Sequence, residues 1–282
     1  MKVLILGSNG LLGNTLSLFL KKKNIKLFFI SRKKNSSRHF YLKNLKNFDK
    51  LKKLIQNIEP NYIINCVGIT HHHKSYKSKK ETRIINTSLP IYLSNLCLKK
   101  KIYFLHISTD CVYSGSSGYY SEKSKKNPKG YYGMTKSKGE VKNLYTATLR
   151  TSFIGPELKN KNQLLNWFLN QKNEVNGFTK AFFSGLTSLE LSFIIYNFFI
   201  KSNIYYNEII NVGGPKISKY KLLVILSKFF RKKLKINKDK TYIIDRSLNS
   251  DKFKRLTKYK QKSWPIMIKS LKRFMIANNY KF

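Results

Sequence analysis

Tyr132 and Lys136 lie one helical turn apart, so on a helix both side chains leave the same face. An ammonium beside a phenol favours phenolate and lowers the phenol's pKa toward the working range. That suits a tyrosine exchanging a proton with a substrate oxygen. Ser108 and Thr109 close the apolar run Ile102–Ile107, which places their hydroxyls at the ligand-facing edge of a parallel sheet. A hydroxyl there can bond the same oxygen. The bare spacing is weak, because a lysine-rich chain with 18 tyrosines gives roughly three such pairs by chance. Tyr119 and Lys123 form one decoy, in a loop, and Tyr131 meets Thr135 four residues on. Tyr132 alone combines a helical setting, a lysine one turn later and a hydroxyl-bearing strand end upstream.

A partner for that chemistry is legible at the N-terminus. Gly7-Ser8-Asn9-Gly10-Leu11-Leu12-Gly13 follows the apolar strand Lys2–Leu6 and opens an amphipathic helix. The first glycine allows a tight turn and the second lets the backbone approach a pyrophosphate. The third lets helix and strand pack closely, with phosphates at the helix N-terminus near residues 9–12. The second strand, Lys26–Ile30, runs into Ser31-Arg32-Lys33-Lys34, where NAD-preferring folds carry a carboxylate for the ribose 2′-hydroxyl. A guanidinium can clamp a 2′-phosphate, so Arg32 predicts NADP over NAD. A surface cation in a cationic chain is the plainer alternative.

These groups need a frame. Apolar runs at Lys2–Leu6, Lys26–Ile30, Tyr62–Cys66, Ile102–Ile107 and Ala147–Arg150 alternate with helical patterns at Leu11–Lys22, Phe48–Ile58, Ile84–Lys99 and Tyr131–Tyr145. That alternation predicts an α/β fold: a Rossmann-type, doubly wound parallel sheet. Ser114–Gly130, rich in Gly, Ser and Lys, is expected to be a loop over the active face. After Arg150 the pattern changes. Helices are expected at Gln163–Asn170, Leu189–Lys201, Ser218–Phe230 and Pro265–Ile276, with a strand at Glu208–Val212. The reading is a cofactor domain over 1–150 carrying the catalytic residues. A smaller substrate-binding region over 151–282 is partly interleaved with it.

The 282 residues carry 56 Lys and Arg against 13 Asp and Glu, a net charge of +43. Lysines are scattered through every segment, and Ile, Asn, Phe and Tyr are abundant, which points to codon bias rather than a nucleic-acid patch. The field still favours anionic ligands. No apolar stretch approaches the roughly 20 residues of a membrane span. Cys66, Cys97 and Cys111 form no CxxC pair, which fits a reduced cytosol. A homodimer is an assembly the reading allows.

Ser108-Thr109-Asp110-Cys111-Val112-Tyr113-Ser114-Gly115 and Tyr132-Gly133-Met134-Thr135-Lys136-Ser137-Lys138-Gly139-Glu140 resemble the STDxVFxG and YGxSKxxGE signatures of the dTDP-4-dehydrorhamnose reductase family, in the extended short-chain dehydrogenases. Leu149–Gly155, Gly177–Thr179, Phe183–Thr187 and Asp245–Ser250 carry the resemblance along the chain. It implies NADPH-dependent reduction of a nucleotide-linked 4-keto-6-deoxy sugar, with Thr109, Tyr132 and Lys136 catalytic. Lys136 would also bind the nicotinamide ribose, and Asn86 resembles the helix asparagine that supports the active-site lysine. Asn65-Cys66-Val67-Gly68 stands where many members read NAA or NAG. There Cys66, Val67 and Gly68 would meet the cofactor ribose through backbone. An epimerase and a non-catalytic binding subunit, as in the regulatory subunits of methionine adenosyltransferase on this fold, are the rivals.

The candidate sites are therefore as follows. Gly7, Asn9, Gly10, Leu11, Leu12, Gly13, Ser31, Arg32, Cys66, Val67, Gly68, Tyr132 and Lys136 are assigned to the cofactor. Ser108, Thr109, Asp110 and Arg246 are assigned to substrate. Arg246 either grips a pyrophosphate or pairs with Asp245 or Asp251. His71-His72-His73 lacks a neighbouring carboxylate or cysteine and is read as a loop, with no metal expected. Cys111 is read as a small buried hydrophobe.

Overall fold

The computed structural model describes residues 1–31, 39–41, 45–70, 76, 78–158 and 162–280. Strand β1 (Lys2–Leu6) is apolar throughout, and its pleat decides where each side chain goes. Val3 and Ile5 enter one core with Leu12, Leu16 and Leu20 of helix α1 (Leu11–Leu20). Leu4 and Leu6 enter a second core on the opposite face. A strand buried on both faces reads as a continuous apolar run, as this one does.

The chain continues through β2 (Lys26–Ser31), β3 (His39–Tyr41), α2 (Phe48–Ile58) and β4 (Tyr62–Asn65). Helix α2 starts at Asn47, whose side chain accepts from Lys50 N, and it buries Leu51, Ile55 and Ile58 in the second core. Then follow α3 (Lys79–Arg83), a π-helical turn over Ile84–Ser88, α4 (Leu89–Lys100), β5 (Tyr103–Ile107), α5 (Tyr131–Lys138) and β6 (Thr146–Arg150). Among the described residues the main sheet has seven parallel strands, ordered Ile209–Asn211, β6, β5, β4, β1, β2, β3. Strand order reverses between β1 and β4, which opens a crevice at their carboxyl ends where such sheets bind ligands.

The second half adds α6 (Leu164–Leu169), a parallel pair formed by Glu174–Phe178 and Lys235–Asp239, and a small sheet of Ile217–Ser218, Ala181–Phe183 and Ile244–Asp245. Helices α7 (Ser188–Ile194), α8 (Lys219–Phe230), α9 (Asp251–Thr257) and α10 (Trp264–Ala277) bury Leu191, Leu222, Phe253, Met267 and Leu271 in the first core. Elements of the second half tie directly to the first. Ile209–Asn211 pairs with β6, and Ser188 Oγ of α7 lies 3.0 Å from Thr15 Oγ1 of α1.

Helix α5 ends at Lys138, short of the expected Tyr145. A Cβ at Gly139 would lie 2.0 Å from the Asn86 carbonyl oxygen, so the chain leaves the helix against that backbone. Glu140 then turns inward to meet Arg150.

Candidate active site

The N-terminal loop is built by contact as well as by turn. Gly7 takes φ +83°, and its N–H donates to Ile30 O. A Cβ at Gly13 would sit 2.1 Å from Gly7 O, backbone that cannot step aside. Helix α1 begins at Gly10 with no side-chain cap and no acid in its first turn. Ser8 Oγ is buried there without a hydrogen-bond partner. Uncapped N–H groups, a positive helix end and an orphaned buried hydroxyl fit a phosphate oxygen. Asn9 and Gly10 are exposed at the loop, and Leu11 and Leu12 open the helix. Gly13→Val is expected to weaken dinucleotide binding by at least about tenfold, the equivalent of ~1.4 kcal/mol of lost contact. A fluorescence titration with NADPH that gave an unchanged Kd would refute that role.

Cys66, Val67 and Gly68 follow β4, and the first two border Gly7: a Cβ at Gly7 would meet Val67 Cγ2 at 3.0 Å. The segment therefore lies at the crevice. Ser31 ends β2. Arg32 and His71, His72 and His73 lie outside the described residues. Among the described residues no group of three or more His, Cys, Asp or Glu is arranged to hold a metal ion.

Thr109 follows β5 and Tyr132 lies in the first turn of α5. The Thr109 hydroxyl is hydrogen-bonded to Tyr132 and also accepts from Cys111 N at 3.1 Å. Burial pushes the Tyr132 phenol well above the ordinary tyrosine range, and Cys111 and Asp110 push it the same way, against the Thr109 bond. The expected lowering by Lys136 is not found. The amine instead donates to Ile107 O at 2.6 Å and faces His106 Nε2 at 3.3 Å. Burial brings Lys136 down to about 8, against the opposing pull of Glu140 and Cys66. The tyrosine is thus held as a protonated donor, and of the two the lysine titrates at the lower pH.

Asn86 supports the site one residue away from the expected place. It exchanges hydrogen bonds with Ile69 N and O, at 2.8 and 2.9 Å, and donates to Thr135 Oγ1 at 3.1 Å. Thr87 Oγ1 donates to Thr135 O at 2.7 Å, so α5 is fastened through Thr135.

Ser108, assigned to substrate from its place in the chain, is turned to a supporting contact instead. Its hydroxyl donates to Glu140 Oε1 at 2.8 Å, within a knot in which Arg150 binds both carboxylate oxygens of Glu140 at 2.8 Å. The alternating pleat sends successive side chains to opposite sides, so Thr109 takes the cleft and Ser108 the support. Asp110 is buried beside Thr109, and burial raises its carboxyl, opposed by Arg246 and Lys219.

Arg246 is brought in by a clamp between distant segments. Asp245 N donates to Gly115 O at 2.8 Å, and Tyr120 N donates to Ser247 O at 2.9 Å. This seats Arg246 against Cys111, with Nη1 donating to Sγ at 3.5 Å. The alternative pairing does not occur: Asp245 binds Lys216, and Asp251 binds Lys254. Arg246 Nε is buried with no hydrogen-bond partner.

The sequence reading missed Lys219. It opens α8, its Nζ lies 3.8 Å from the Phe183 ring centroid, and burial lowers its pKa. Asp110, Cys111 and Arg246 are the charges that act on it. Among the described residues, neither Lys219 nor Arg246 joins an ion pair with a carboxylate. Two cations with open donors beside Thr109 and Tyr132 suit an anionic ligand group. One lysine among so many gave no local signal for this. Cys111, read as a packing residue, also borders this cluster, and burial lifts its thiol to about 12.

The family model described as RmlD substrate binding domain matches residues 1–175. The methionine adenosyltransferase 2 subunit beta of Xenopus tropicalis is 28% identical over 139 residues, 49% of this chain and 41% of that protein. The dTDP-4-dehydrorhamnose reductase of Aggregatibacter actinomycetemcomitans is 28% identical over 140 residues, 49% of this chain and 45% of that protein. The matched segment thus spans less than half the length of these curated relatives. The crystal structure of a dTDP-4-dehydrorhamnose reductase from Bacillus anthracis str. Ames in complex with NADP superposes with a TM-score of 0.80 at 20% identity, covering 98% of each chain. No helix among the described residues is long and apolar enough to cross a membrane.

Proposed function

The chain belongs to the family described as RmlD substrate binding domain, and from that membership and the site geometry we propose that it is an NADPH-dependent reductase of a nucleotide-linked 4-keto-6-deoxy sugar. The observation that carries the reading is the Thr109–Tyr132 hydroxyl pair at the carboxyl edge of the sheet, beside an uncapped glycine loop. Bound NADPH would supply the hydride. The loop from Gly7 to Gly13, with Ser8, would hold the pyrophosphate, and Cys66–Gly68 would border the ribose. Arg32 is the proposed contact of the 2′-phosphate and the basis for naming NADPH rather than NADH.

Thr109 and Tyr132 would share the substrate carbonyl oxygen, and Tyr132 would deliver its proton there. Burial weakens Tyr132 as an acid and keeps the phenol protonated through neutral pH, the state a reduction needs. Residues 151–282 would supply most of the substrate contacts, with Arg246 and Lys219 holding the diphosphate. Lys219→Met and Arg246→Met are each expected to raise KM about ten- to a hundredfold with a smaller change in kcat, as for contacts made equally in ground and transition states. A fall in kcat at constant KM would move these residues out of the binding role.

The direct test mixes the protein, NADPH and a panel of nucleotide-linked 4-keto-6-deoxy sugars, and follows absorbance of the reduced nicotinamide. Oxidation dependent on one such sugar supports the proposal. A second reading is motivated by the relatives named as methionine adenosyltransferase subunit beta: a dinucleotide-binding subunit without turnover of its own. Tight NADPH binding with no consumption across the panel would favour it.

A further inference from the structure

Beneath the proposed reacting pair runs a buried polar string that the reaction as written does not use. Val67 N–H donates to Asn65 Oδ1 at 3.1 Å. Asn65 Nδ2 lies 3.2 Å from His106 Nδ1. His106 Nε2 lies 3.3 Å from Lys136 Nζ, and Lys136 Nζ donates to Ile107 O at 2.6 Å. Asn65 and His106 are fully buried, and Lys136 is buried as well.

The string has a direction. A backbone N–H can only donate, so Asn65 must offer Val67 its oxygen and His106 its NH₂. His106 Nδ1 must then accept. A neutral imidazole has one acceptor and one donor, so the proton sits on Nε2 and points at Lys136. An ammonium has three donors and no lone pair, so it cannot accept that proton. An uncharged amine can, while donating to Ile107 O.

We propose that Asn65 and His106 are positioning residues that relay the fixed direction of the Val67 N–H and so hold Lys136 as an uncharged amine at mildly alkaline pH. Every opposite arrangement sets two buried donors face to face, either at Asn65 and His106 or at Asn65 and Val67. An imidazolium would do so at both ends. Burial, and then Lys136, hold His106 well below the ordinary histidine range, which keeps the ring neutral.

The other titratable groups facing Lys136 do not reverse this. Glu140, just beyond α5, is already bound by Arg150, Ser108 and Lys126. Cys66, after β4, has its thiol raised to about 12 by burial and is uncharged near neutrality. The consequence for turnover rests on the reductase reading. On that reading Lys136 also binds the nicotinamide ribose, and losing its proton removes its charge and one of its three donors, so the rate should fall as pH rises past the lysine's value of about 8.

The test reads the histidine directly. Long-range proton–nitrogen correlation spectra of protein labelled in its histidine rings, assigned with His106→Gln, report which ring nitrogen carries the proton. The informative condition is about pH 9, between the value of about 8 for Lys136 and the usual lysine value of about 10.4. A neutral His106 protonated on Nε2 is expected. Asn65→Asp supplies a carboxylate that accepts from both Val67 N–H and Nδ1–H. It should move the proton to Nδ1 and raise the alkaline limb of kcat/KM by about one pH unit or more.

A wild-type ring protonated on Nδ1, or on both nitrogens, at that pH overturns the proposal. So does an Asn65→Asp protein whose ring keeps the Nε2 proton. The wild-type spectrum decides the matter if the variant fails to fold. It also needs no turnover, so failure of the reductase assay and failure of the string are separate results.

Discussion

Tyr132→Phe is expected to lower kcat by about 10²–10⁴-fold, the range for a removed general acid, while NADPH affinity and the unfolding midpoint stay near wild type. The phenylalanine ring fills the same space in the first turn of α5, so only the hydroxyl and its bond to Thr109 are lost. Burial holds that phenol protonated across the neutral and mildly alkaline range, with Cys111 and Asp110 acting the same way. Any alkaline loss of rate should therefore track Lys136, brought down to about 8, rather than the tyrosine. Thr109→Val should cost less, because it removes the partner and keeps the proton donor. A Tyr132→Phe protein with undiminished turnover would remove the phenol from the mechanism.

Glu140→Ala is expected to be the most destabilising single change at the site, by about 3–5 kcal/mol, the cost of breaking a buried ion pair from one side. The Glu140 side chain is fully buried. It is held by both donors of Arg150 at 2.8 Å, by Ser108 at 2.8 Å and by Lys126 at 3.1 Å. Truncation leaves the Arg150 guanidinium buried with only neutral partners such as the Tyr113 hydroxyl. The Lys126 contact is partly exposed and contributes little of the total.

The same knot sets an acid limb. Burial alone would raise the Glu140 carboxyl, but the Arg150 hydrogen bonds and charge carry it below the usual glutamate value. A carboxyl lowered on folding stabilises fully above its unfolded value of about 4.3 and stops doing so as pH falls through its folded value. Stability should therefore drop in that acid window, and less steeply in Glu140→Gln. Urea unfolding of the three proteins at neutral and acid pH measures both effects. Equal midpoints for wild type and Glu140→Ala at neutral pH would contradict the assignment.

Much of this protein was legible in its residues because the relevant signals are local. An apolar run, a glycine spacing and a helical repeat need only a few neighbours to have a meaning. Hence β1, the turn at Gly7, α1 and the single face shared by Tyr132 and Lys136 follow from short stretches of chain. The alternation of strands and helices adds the parallel, doubly wound sheet, since few other frames bury strands on both faces.

The tertiary structure decided the rest, because those questions concern groups far apart in the chain. Ser108 and Thr109 are adjacent hydroxyls, and only the fold sends one to Glu140 and the other to Tyr132. Lys219 and Arg246 are two cations among 56 Lys and Arg, and the clamp of the segment from Asp245 to Ser247 onto the loop from Gly115 to Tyr120 is what makes Arg246 matter. Lys136 lies one turn from Tyr132 by its spacing, yet the groups its amine meets, His106 Nε2 and Ile107 O, are contributed by a neighbouring strand. Periodicity says which face a side chain leaves from. Which partner it meets there, and which protonation state that partner permits, is a property of packing.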